Sequence, residues 1–344
     1  ADKHDWGGVA ITARAYTGWS LRSASSILSF LSLKDENSGL HLSLFVIPWL
    51  QAQKQRVPKT WFITGCSSGF GEILVRKLCA EGENVIATGR QADVKLAHLQ
   101  DTGAKVMDLD ISASEVVIRE TVEQAWAAFP GGVDVVVNNA GYVLSGLIEE
   151  LTQEQMEECF RTNIHGPLNI ARAFLPFLRE RGTGTLVFLS SQAAWHVDIS
   201  AGAYCASKFA LSGGNPELAA VETLAQELAI LAPDLKVLMV EPGYFRTRVF
   251  VKLAHIPLRI PEFAGFNAAC VEQGAKIYGT EPGDPEKAVE RMVELVRGEG
   301  MAAGREIPLR VPLGTDGWGR IKKKCEVMVK VCEDWEDVAQ STDW

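Results

Sequence analysis

From residue 58 onward, short apolar runs alternate with longer stretches in which apolar residues recur at every third or fourth position. The first pattern is typical of β-strands and the second of amphipathic helices. Alternating strands and helices build a parallel sheet that is covered by helices on both faces. The sequence therefore predicts an α/β fold, a Rossmann-type doubly wound parallel sheet. The predicted strands are residues 61–63, 84–88, 105–109, 133–138, 185–190, 237–241 and 307–311.

The same periodicity predicts the main helices, at residues 72–80, 114–129, 153–179 and 285–297. The long helix 153–179 is expected to bend near Gly166-Pro167, because proline cannot donate a backbone hydrogen bond. A further helix is predicted over residues 321–338. Lysines near its start and acids near its end oppose the helix dipole, so we expect packing on the domain or on a partner subunit to hold it. The predicted units are an extension (1–57), the Rossmann domain (58–311) and a helical tail (312–344).

Residues 1–57 fit no part of this strand and helix pattern. Their segment 11–33 is rich in serine, carries two arginines and lacks acids, as mitochondrial presequences do. Acidic residues lie on both sides of that segment, which argues against a presequence. The preferred interpretation is a loosely ordered extension. Both interpretations remain open at this point.

Composition narrows the class of protein. The chain has 344 residues, of which 47% are hydrophobic and 22% charged, as in ordinary globular proteins. A net charge of −9 argues against nucleic acid as a partner. No apolar run approaches the roughly 18 residues that a membrane span needs. The seven cysteines and six histidines form no metal-binding pattern, so we predict no metal, reduced thiols and a cytoplasmic location.

Three glycines follow the first predicted strand, at Gly65, Gly69 and Gly71. Glycine lets the backbone turn sharply and come close to a ligand. The helix that begins behind these glycines offers free N–H groups and a positive dipole end, which suit a pyrophosphate. The loop therefore indicates nucleotide binding. Tight turns also use glycine, so the loop alone leaves a purely structural interpretation open.

A second motif, Tyr204-Cys-Ala-Ser-Lys208, suggests proton chemistry. Residues four apart share one helix face, so the phenol and the ammonium group can act on one ligand. A free tyrosine has a pKa of about 10, and a nearby lysine charge is expected to lower it. Ser191 lies thirteen residues upstream, just past a predicted strand, and Asn163 lies within the long helix.

Several motifs occur in a fixed order: the Thr-Gly-x-x-x-Gly-x-Gly loop, Asn138-Asn139-Ala140-Gly141, Ser191, Tyr-x-x-x-Lys, and Pro242-Gly243 with Thr247. Together they resemble the short-chain dehydrogenase/reductase superfamily, of the NADP-preferring Tyr-x-x-x-Lys type, over roughly residues 58–311. The resemblance implies that Tyr204 is the general acid/base. Lys208 would lower the pKa of Tyr204 and hold the nicotinamide ribose. Ser191 would position the substrate oxygen, and Asn163 would hold a water in a proton relay to Lys208.

The resemblance also implies a set of cofactor contacts. Asn139 matches a residue that supports the sheet and cofactor, Thr247 one near the carboxamide, and Asp110 with Ile111 a pair that meets the adenine. The full set of implied cofactor-binding residues is Gly65, Ser67, Ser68, Gly69, Phe70, Gly71, Arg90, Asp110, Ile111, Asn139, Ala140, Gly141, Tyr204, Lys208, Pro242, Gly243 and Thr247.

The end of the second predicted strand bears on the choice between NAD and NADP. An acid there selects NAD, whereas an arginine accommodates the 2′-phosphate of NADP. Here the strand ends without a carboxylate and continues into Gly89-Arg90. The guanidinium group can meet a phosphate with charge-assisted bonds. The sequence therefore predicts NADP(H), and the other interpretation is a solvent-facing Arg90 without a ligand.

The predicted function is hydride transfer between NADP(H) and a carbonyl or alcohol, as in carbonyl reductases, with homo-oligomerisation as a further expectation. Apolar residues in the segment 250–278, where the family has its substrate lid, favour a lipophilic small molecule. The alternative is a catalytically inactive dinucleotide-binding sensor or scaffold. It is favoured by about six extra residues around 213–217, whose Gly-Gly-Asn-Pro run should break the helix that carries Lys208.

Overall fold

The structure is a computed structural model that describes residues 31–34, 41–44, 57–212 and 220–344. The chain divides into two compact units, Ala1–Val57 and Pro58–Trp344. In the first unit, the strands Leu31–Lys34 and His41–Leu44 pair antiparallel. The rest of that unit, including most of the segment with presequence-like composition, lies outside the described residues.

The described part of the second unit contains a sheet of seven strands, all parallel, in the order β3-β2-β1-β4-β5-β6-β7. The order reverses at β1, as in a doubly wound fold, and confirms the predicted Rossmann-type sheet. Boundaries differ from the prediction by up to three residues. The strands are β1 (Thr60–Ile63), β2 (Asn84–Gly89), β3 (Lys105–Asp108), β4 (Val135–Asn138), β5 (Gly184–Leu189), β6 (Leu235–Pro242) and β7 (Arg310–Leu313).

Helices cover both faces of the sheet because successive strand residues point to opposite sides. Trp61 and Ile63 pack into one apolar layer with α1 and α8, whereas Phe62 packs into the other layer with α2, α4 and α6. The helices are α1 (Gly69–Ala80), α2 (Glu115–Trp126), α3 (Gln153–Phe160), α4 (Gly166–Arg181), α5 (Gly202–Ser212), α6 (Ala220–Leu231), α7 (Ala264–Ile277), α8 (Pro285–Arg297) and α9 (Thr315–Asp334).

The predicted long helix is interrupted just before Gly166-Pro167 by a π-helical turn. The turn, Arg161–His165, joins α3 to α4. Pro167 lies just after this turn, and because proline has no N–H it cannot donate a backbone hydrogen bond to a carbonyl of the turn. Gly166 is needed because a Cβ there would lie 2.9 Å from the carbonyl oxygen of Ile111.

The helix that carries the Tyr-x-x-x-Lys motif ends at Ser212. The predicted break at the extra residues falls on 213–219, outside the described residues, and α6 follows at Ala220. The hydroxyl of Ser212 donates to the carbonyl of Lys208 at 3.0 Å, and the guanidinium of Arg310 donates to the carbonyl of Ser212 at 2.8 Å. These bonds tie the end of α5 to the edge strand β7.

Above the carboxyl edge of the sheet, a short parallel pair of strands joins Leu144–Ser145 to Ala254–His255. The segment 249–278, which contains the strand Ala254–His255 and the helix α7, is called the lid below. At the end of the chain, α9 begins six residues before the predicted tail helix. None of the described helices combines the length and apolar composition needed to cross a bilayer.

Candidate active site

The glycine loop is shaped by positions that tolerate only glycine. Gly65 and Gly69 have φ angles of +73° and +63°, in the left-handed region that disfavours side chains. A Cβ on Gly71 would lie 2.5 Å from the carbonyl oxygen of Gly65. Ser68 is the N-cap of α1, but its side chain makes no capping hydrogen bond. The first N–H groups of α1 therefore have no side-chain cap.

Thr64 fastens this loop to the end of β4. Its hydroxyl accepts hydrogen bonds from the backbone N–H groups of Asn139 and Ala140, both at 3.0 Å. In return, the amide of Asn139 donates to the carbonyls of Thr64 at 2.8 Å and Gly65 at 3.1 Å. Asn139 is thus a support of the loop, as the resemblance implies. The role of Thr64 was missed, although its place directly before the first glycine was visible.

Tyr204 and Lys208 lie on α5 beside the carboxyl end of β5. The Lys208 ammonium nitrogen is 5.9 Å from the centroid of the Tyr204 ring and donates to the carbonyl of Leu189 at 2.8 Å. Ser191 follows β5 and accepts a hydrogen bond from the N–H of Ala193 at 3.0 Å, and its side chain is close enough to the phenol to lower the pKa of Tyr204. The structure therefore brings these three predicted residues together.

The predicted effect of Lys208 on Tyr204 is wrong for this arrangement. Burial raises the pKa of Tyr204 to about 12, and the hydrogen bond from Ser191 only partly opposes that rise. Burial also lowers the pKa of Lys208 to about 8, because the ammonium group loses solvation. Desolvation of the phenolate is thus the largest cause of the raised pKa of Tyr204. The phenol stays protonated at neutral pH.

Asn163 lies in the π-helical turn and is 1% exposed. Its amide oxygen accepts from the N–H of Tyr142 at 3.1 Å, and its amide nitrogen donates to the Tyr142 carbonyl and the Ser207 hydroxyl, both at 3.0 Å. A Cβ built on Gly141 would lie 3.1 Å from this amide oxygen and 3.8 Å from the Lys208 nitrogen. Asn163 is therefore close to Lys208, and the bonds seen here hold the chain after β4. Its role in a water relay remains a prediction.

A cavity of about 870 Å³ opens beside these residues. The sheet edge and α5 form its floor, and the lid forms its roof. The predicted site residues that line it are Phe70, Asn139, Gly141, Ser191, Tyr204, Lys208, Pro242, Gly243 and Thr247. The remaining predicted residues do not line it, and they are Gly65, Ser67, Ser68, Gly69, Gly71, Arg90, Asp110, Ile111, Ala140 and Asn163.

Three of these remaining residues lie at the ends of β2 and β3. Arg90 follows β2 and is exposed. The Asp110 carboxylate accepts from the N–H and hydroxyl of Ser112, at 2.9 and 2.6 Å, and so shapes the turn after β3. Ile111 is buried against Gly166. Because parallel strands end at one edge, all three lie at the edge where ligands bind in doubly wound sheets.

The family model described as short chain dehydrogenase matches residues 59–255, which span the glycine loop, Ser191, Tyr204 and Lys208. The chain belongs to this family. An oxidoreductase named BOA17 from Botryotinia fuckeliana (strain B05.10) is 29% identical over 285 residues, covering 82% of this chain and 98% of that protein. Human retinol dehydrogenase 8 is 30% identical over 250 residues, covering 70% and 78%.

A solved short-chain dehydrogenase from Streptomyces avermitilis has the same fold. Its TM-score is 0.70 at 32% identity, covering 84% of this chain and all of that one. Among the residues that the structure describes, no cluster of His, Cys, Asp or Glu side chains is arranged to hold a metal ion.

One buried carboxylate anchors the lid of this dehydrogenase. Glu150 is 1% exposed and accepts the backbone N–H groups of Arg259 and Ile260, at 2.9 and 3.0 Å. It also accepts from the amide of Asn267 at 2.7 Å, and these bonds, that of Asn267 first, lower the pKa of Glu150. Sequence reasoning missed Glu150, because its partners are more than 100 residues away.

A polar cluster joins the cavity wall to α9. The phenol of Tyr244 donates to Asp198 at 2.9 Å, and the Arg320 guanidinium lies 3.4 Å from Asp198 and 4.8 Å from the centroid of the Tyr244 ring. The N–H of Tyr244 donates to Asp316 at 2.7 Å. Gly243 lets Asp316 come close, since a Cβ on it would lie 2.3 Å from the Asp316 carboxylate. The beginning of α9 is thus docked beside the cavity.

A lid lysine reaches the glycine loop. The Lys252 ammonium nitrogen lies 3.1 Å from the hydroxyl of Ser68. Partial burial, followed by repulsion from Arg248 and Lys95, lowers the pKa of Lys252, while Glu72 opposes that shift. Lys252 therefore lies at the loop, and Arg248 and Lys95 are close enough to Lys252 to repel its charge. Nothing in the local sequence indicated that Lys252 would meet Ser68.

Proposed function

We propose that this short-chain dehydrogenase transfers hydride between NADP(H) and a lipophilic carbonyl compound or alcohol, with Tyr204 as general acid/base. The observation that carries the proposal is the convergence of Tyr204, Ser191 and Lys208 on the floor of one cavity next to the glycine loop. Carbonyl reduction requires a hydroxyl that donates the proton, a second hydroxyl that aligns the substrate oxygen, and a nearby cation.

The glycine loop and its surroundings fit a dinucleotide. The uncapped start of α1 and the cations Lys252, Arg248 and Lys95 favour a ligand that carries phosphate groups. Gly65 and Gly69 leave the backbone free of side chains at the loop surface. The residues proposed to hold the pyrophosphate and its neighbourhood are Gly65, Ser67, Ser68, Gly69, Phe70 and Gly71.

Preference for NADP(H) rests on the end of β2. Arg90 is exposed there, and the strand ends without a carboxylate that would repel a 2′-phosphate. Arginine meets phosphate through several parallel N–H donors, and such charge-assisted bonds are stronger than neutral ones. The same site would favour NADH if an acid stood at Gly89.

The protonation state of Tyr204 favours reduction. A pKa of about 12 keeps the phenol protonated at neutral pH, ready to donate to a developing alkoxide. Ser191 would align the substrate oxygen with the phenol through its own hydroxyl. Lys208 is proposed to hold the nicotinamide ribose, and Asn139, Gly141, Pro242, Gly243 and Thr247 to shape the nicotinamide pocket. NADPH supplies the hydride when bound, and the phenol supplies the proton.

The roof of the cavity supports a lipophilic substrate. The lid contributes apolar side chains to the lining, namely Val249, Phe250, Leu253, Phe266 and Ile277. Apolar lining around a few polar groups is the usual pattern of small-molecule sites. The similarity to a retinol dehydrogenase supports the same class, since retinol is a lipophilic alcohol.

Turnover and binding, measured together, test the proposal. NADPH oxidation is followed with aryl ketones, alkyl ketones, aldehydes and small keto acids, beside a titration of NADPH fluorescence. Turnover that is fastest with apolar ketones or aldehydes supports the proposal. NADPH binding without turnover on any substrate would instead favour the inactive sensor. Faster turnover of small keto acids would overturn the lipophilic assignment alone.

We also propose that the protein works in a reducing compartment, with the cytoplasm preferred. All seven cysteines are unpaired. Burial raises the pKa of Cys66 to about 12, so this thiol in the glycine loop remains protonated and unreactive.

A further inference from the structure

Arg310, the first residue of β7, holds together a buried ion cluster. Its guanidinium group donates to the carboxylates of Glu241 and Glu222, the latter at 2.8 Å. The side chain of Glu241 is 1% exposed, and those of Glu222 and Arg310 are 11% and 14% exposed. These charged groups therefore meet in a place that is largely closed to solvent.

The cluster reaches the turn that carries Ser191. This turn, residues 191–195, is called the serine turn below, and its last residue is Trp195. The indole N–H of Trp195 donates to both carboxylate oxygens of Glu241, at 3.0 Å each. The guanidinium carbon of Arg310 lies 4.3 Å from the centroid of the Trp195 ring, so the cation also stacks on the indole. The ion cluster thus holds the end of the serine turn.

The same arginine also holds α5, the helix that carries Tyr204 and Lys208. The last carbonyls of a helix have no intrahelical partner, and that of Ser212 accepts from Arg310 at 2.8 Å. The hydroxyl of Ser212 donates to the carbonyl of Lys208 at 3.0 Å and contacts the hydroxyl of Ser190, directly before the serine turn. The serine turn and α5 are therefore joined both directly and through Arg310.

Arg310 contacts both sides of the extra residues that favoured the inactive alternative. Ser212 lies directly before residues 213–219, and Glu222 lies after them, in the first turn of α6. One side chain therefore fixes the end of α5 to the beginning of α6 without relying on the residues between them.

Stability alone is a weak reason for this cluster. Burial removes the hydration of each charge, and well-packed apolar residues often stabilise a core as much as a buried ion pair does. Burial also raises the pKa of Glu241, and the hydrogen bonds from Arg310 and Trp195 oppose that rise. What the cluster does provide is direction, because the N–H donors of arginine have a fixed planar arrangement. It fixes where the serine turn, the end of α5 and the end of β6 lie relative to one another.

We propose that Arg310 is a positioning residue, which sets the mutual placement of Ser191 and Tyr204 so that the substrate oxygen meets the proton donor. The inference rests on the proposed reductase function. Arg310 does not line the cavity. It acts on the serine turn through Glu241 and Trp195, and it acts on α5 through the last carbonyl of that helix.

Removal of the indole N–H tests the link to the serine turn. Trp195→Phe keeps an aromatic ring beside Arg310 but takes a donor from Glu241, so kcat for an apolar ketone should fall about fivefold to tenfold. The Kd for NADPH should stay within about twofold of wild type, because β4 and β5 separate β6 from the strand that leads into the glycine loop. A kcat like that of wild type would overturn the inference.

The same substitution in the Ser191→Ala background tests whether the effect passes through Ser191. If it does, Trp195→Phe should cause no further fall in kcat there, because the group that it misplaces is already absent. A full additional fall in that background would show that Trp195 acts in another way, and it would overturn the inference.

Arg297 offers a matched control for Arg310. Its side chain is 6% exposed, and it also pairs with several acids but does not line the cavity. These acids are Glu81 and Glu83, both at 2.7 Å, and Glu299 at 3.0 Å. Arg310→Met and Arg297→Met should both lower Tm. Arg310→Met should also lower kcat about tenfold to a hundredfold, whereas Arg297→Met should keep kcat within about twofold of wild type. Equal kcat values would show a purely structural role and overturn the inference.

A double variant separates positioning from the cost of an unpaired charge. Arg310→Met leaves Glu241 buried without its ion-pair partner, which is destabilising. Adding Glu241→Gln removes that charge, so Tm should rise above that of Arg310→Met while kcat stays equally low. Recovery of kcat together with Tm would contradict the positioning role.

Hydrogen exchange without substrate distinguishes failure of this inference from failure of the proposed function. The N–H groups of Trp195 and His196 donate to the carbonyl of Gln192, at 2.9 and 3.1 Å. They should exchange faster in Arg310→Met and Trp195→Phe than in wild type. Unchanged exchange would overturn the inference even if the wild type is active. Faster exchange in a protein that reduces no carbonyl compound would support the anchoring and overturn the reductase function instead.

Discussion

The floor and the roof of the cavity are built differently. The floor carries the reactive groups on α5, in which six of the eleven residues are buried. The roof is formed by the lid, whose helix α7 is described throughout and has no buried residue. Lys208 is fixed by the carbonyl of Leu189 and Asn163 by the chain at Tyr142. The lid is fixed by the Glu150 carboxylate, by the short strand pair at Ala254–His255 and by the contact of Lys252 with Ser68.

This difference separates chemistry from substrate selection. Buried helices and strand ends hold catalytic groups within the narrow geometry that proton transfer needs. An exposed segment held by few bonds opens at low cost, which suits the admission of substrate. Changes in the floor should therefore alter turnover, and changes at the lid anchor should alter substrate affinity.

The largest effect is expected at the floor. Tyr204→Phe removes the proton donor and leaves the ring in place, so kcat should fall by roughly 10²–10⁴-fold. The dissociation constant for NADPH should change little. Stopped-flow turnover and a fluorescence titration measure the two quantities. Tyr278→Phe, at an exposed tyrosine outside the cavity lining, is the matched control. Near-normal turnover in Tyr204→Phe would show that another group is the acid.

The next largest effect concerns the far end of the site, at the edge of the sheet. Arg90→Ala should weaken NADPH binding about ten- to a hundredfold, because a charge-assisted bond contributes roughly 1.5–3 kcal/mol. NADH binding should stay almost unchanged, since NADH lacks the 2′-phosphate. Arg179→Ala, on the exposed end of α4, is the control. Equal losses for both cofactors would overturn the assigned role of Arg90.

The lid anchor should show a smaller effect of another kind. Glu150→Gln removes the charge and sets an amide N–H₂ group against that of Asn267, so the lid should open more readily. We expect KM for an apolar ketone to rise about tenfold, with kcat within about twofold of wild type. Hydrogen exchange should increase in residues 254–277. The control variant Glu149→Gln, at the exposed neighbouring residue, should change neither KM nor hydrogen exchange. A fall in kcat without a rise in KM would mean that floor and roof are not separable.

Local patterns predicted the floor better than the roof. Short apolar runs such as Trp61–Ile63, alternating with helical patterns, were enough to predict the sheet. The four-residue spacing was enough to place Tyr204 and Lys208 on one helix face. The contacts of Glu150 and of Lys252 with Ser68 could not be predicted, because they join residues more than 100 positions apart without any periodic signal. The raised pKa of Tyr204 could not be predicted, because its largest cause is burial, which depends on the whole fold.

The smallest effect is a pH dependence of cofactor affinity. Burial lowers the pKa of Lys208 to about 8, so the ammonium form is present below that pH and is lost above it. A charged donor binds more strongly than a neutral one by about 1 kcal/mol, so NADPH affinity should fall roughly fivefold between pH 7 and pH 9.5. The affinity of the control variant Lys236→Ala, on the exposed side of β6, should fall with pH as in the wild type. The affinity of Lys208→Ala should not change over this pH range. A flat wild-type profile would contradict the charged role of Lys208.

Transfer of deuterium from NADPH that carries deuterium at both C4 positions of the nicotinamide tests the central claim most directly. The wild-type protein is incubated with labelled NADPH and an apolar ketone, and the alcohol product is analysed by mass spectrometry. We predict one deuterium on the carbinol carbon of the wild-type product, and little or no product from Tyr204→Phe. Tight binding of NADPH with no deuterated alcohol from any carbonyl compound would contradict the assignment of this cavity as a reductase site.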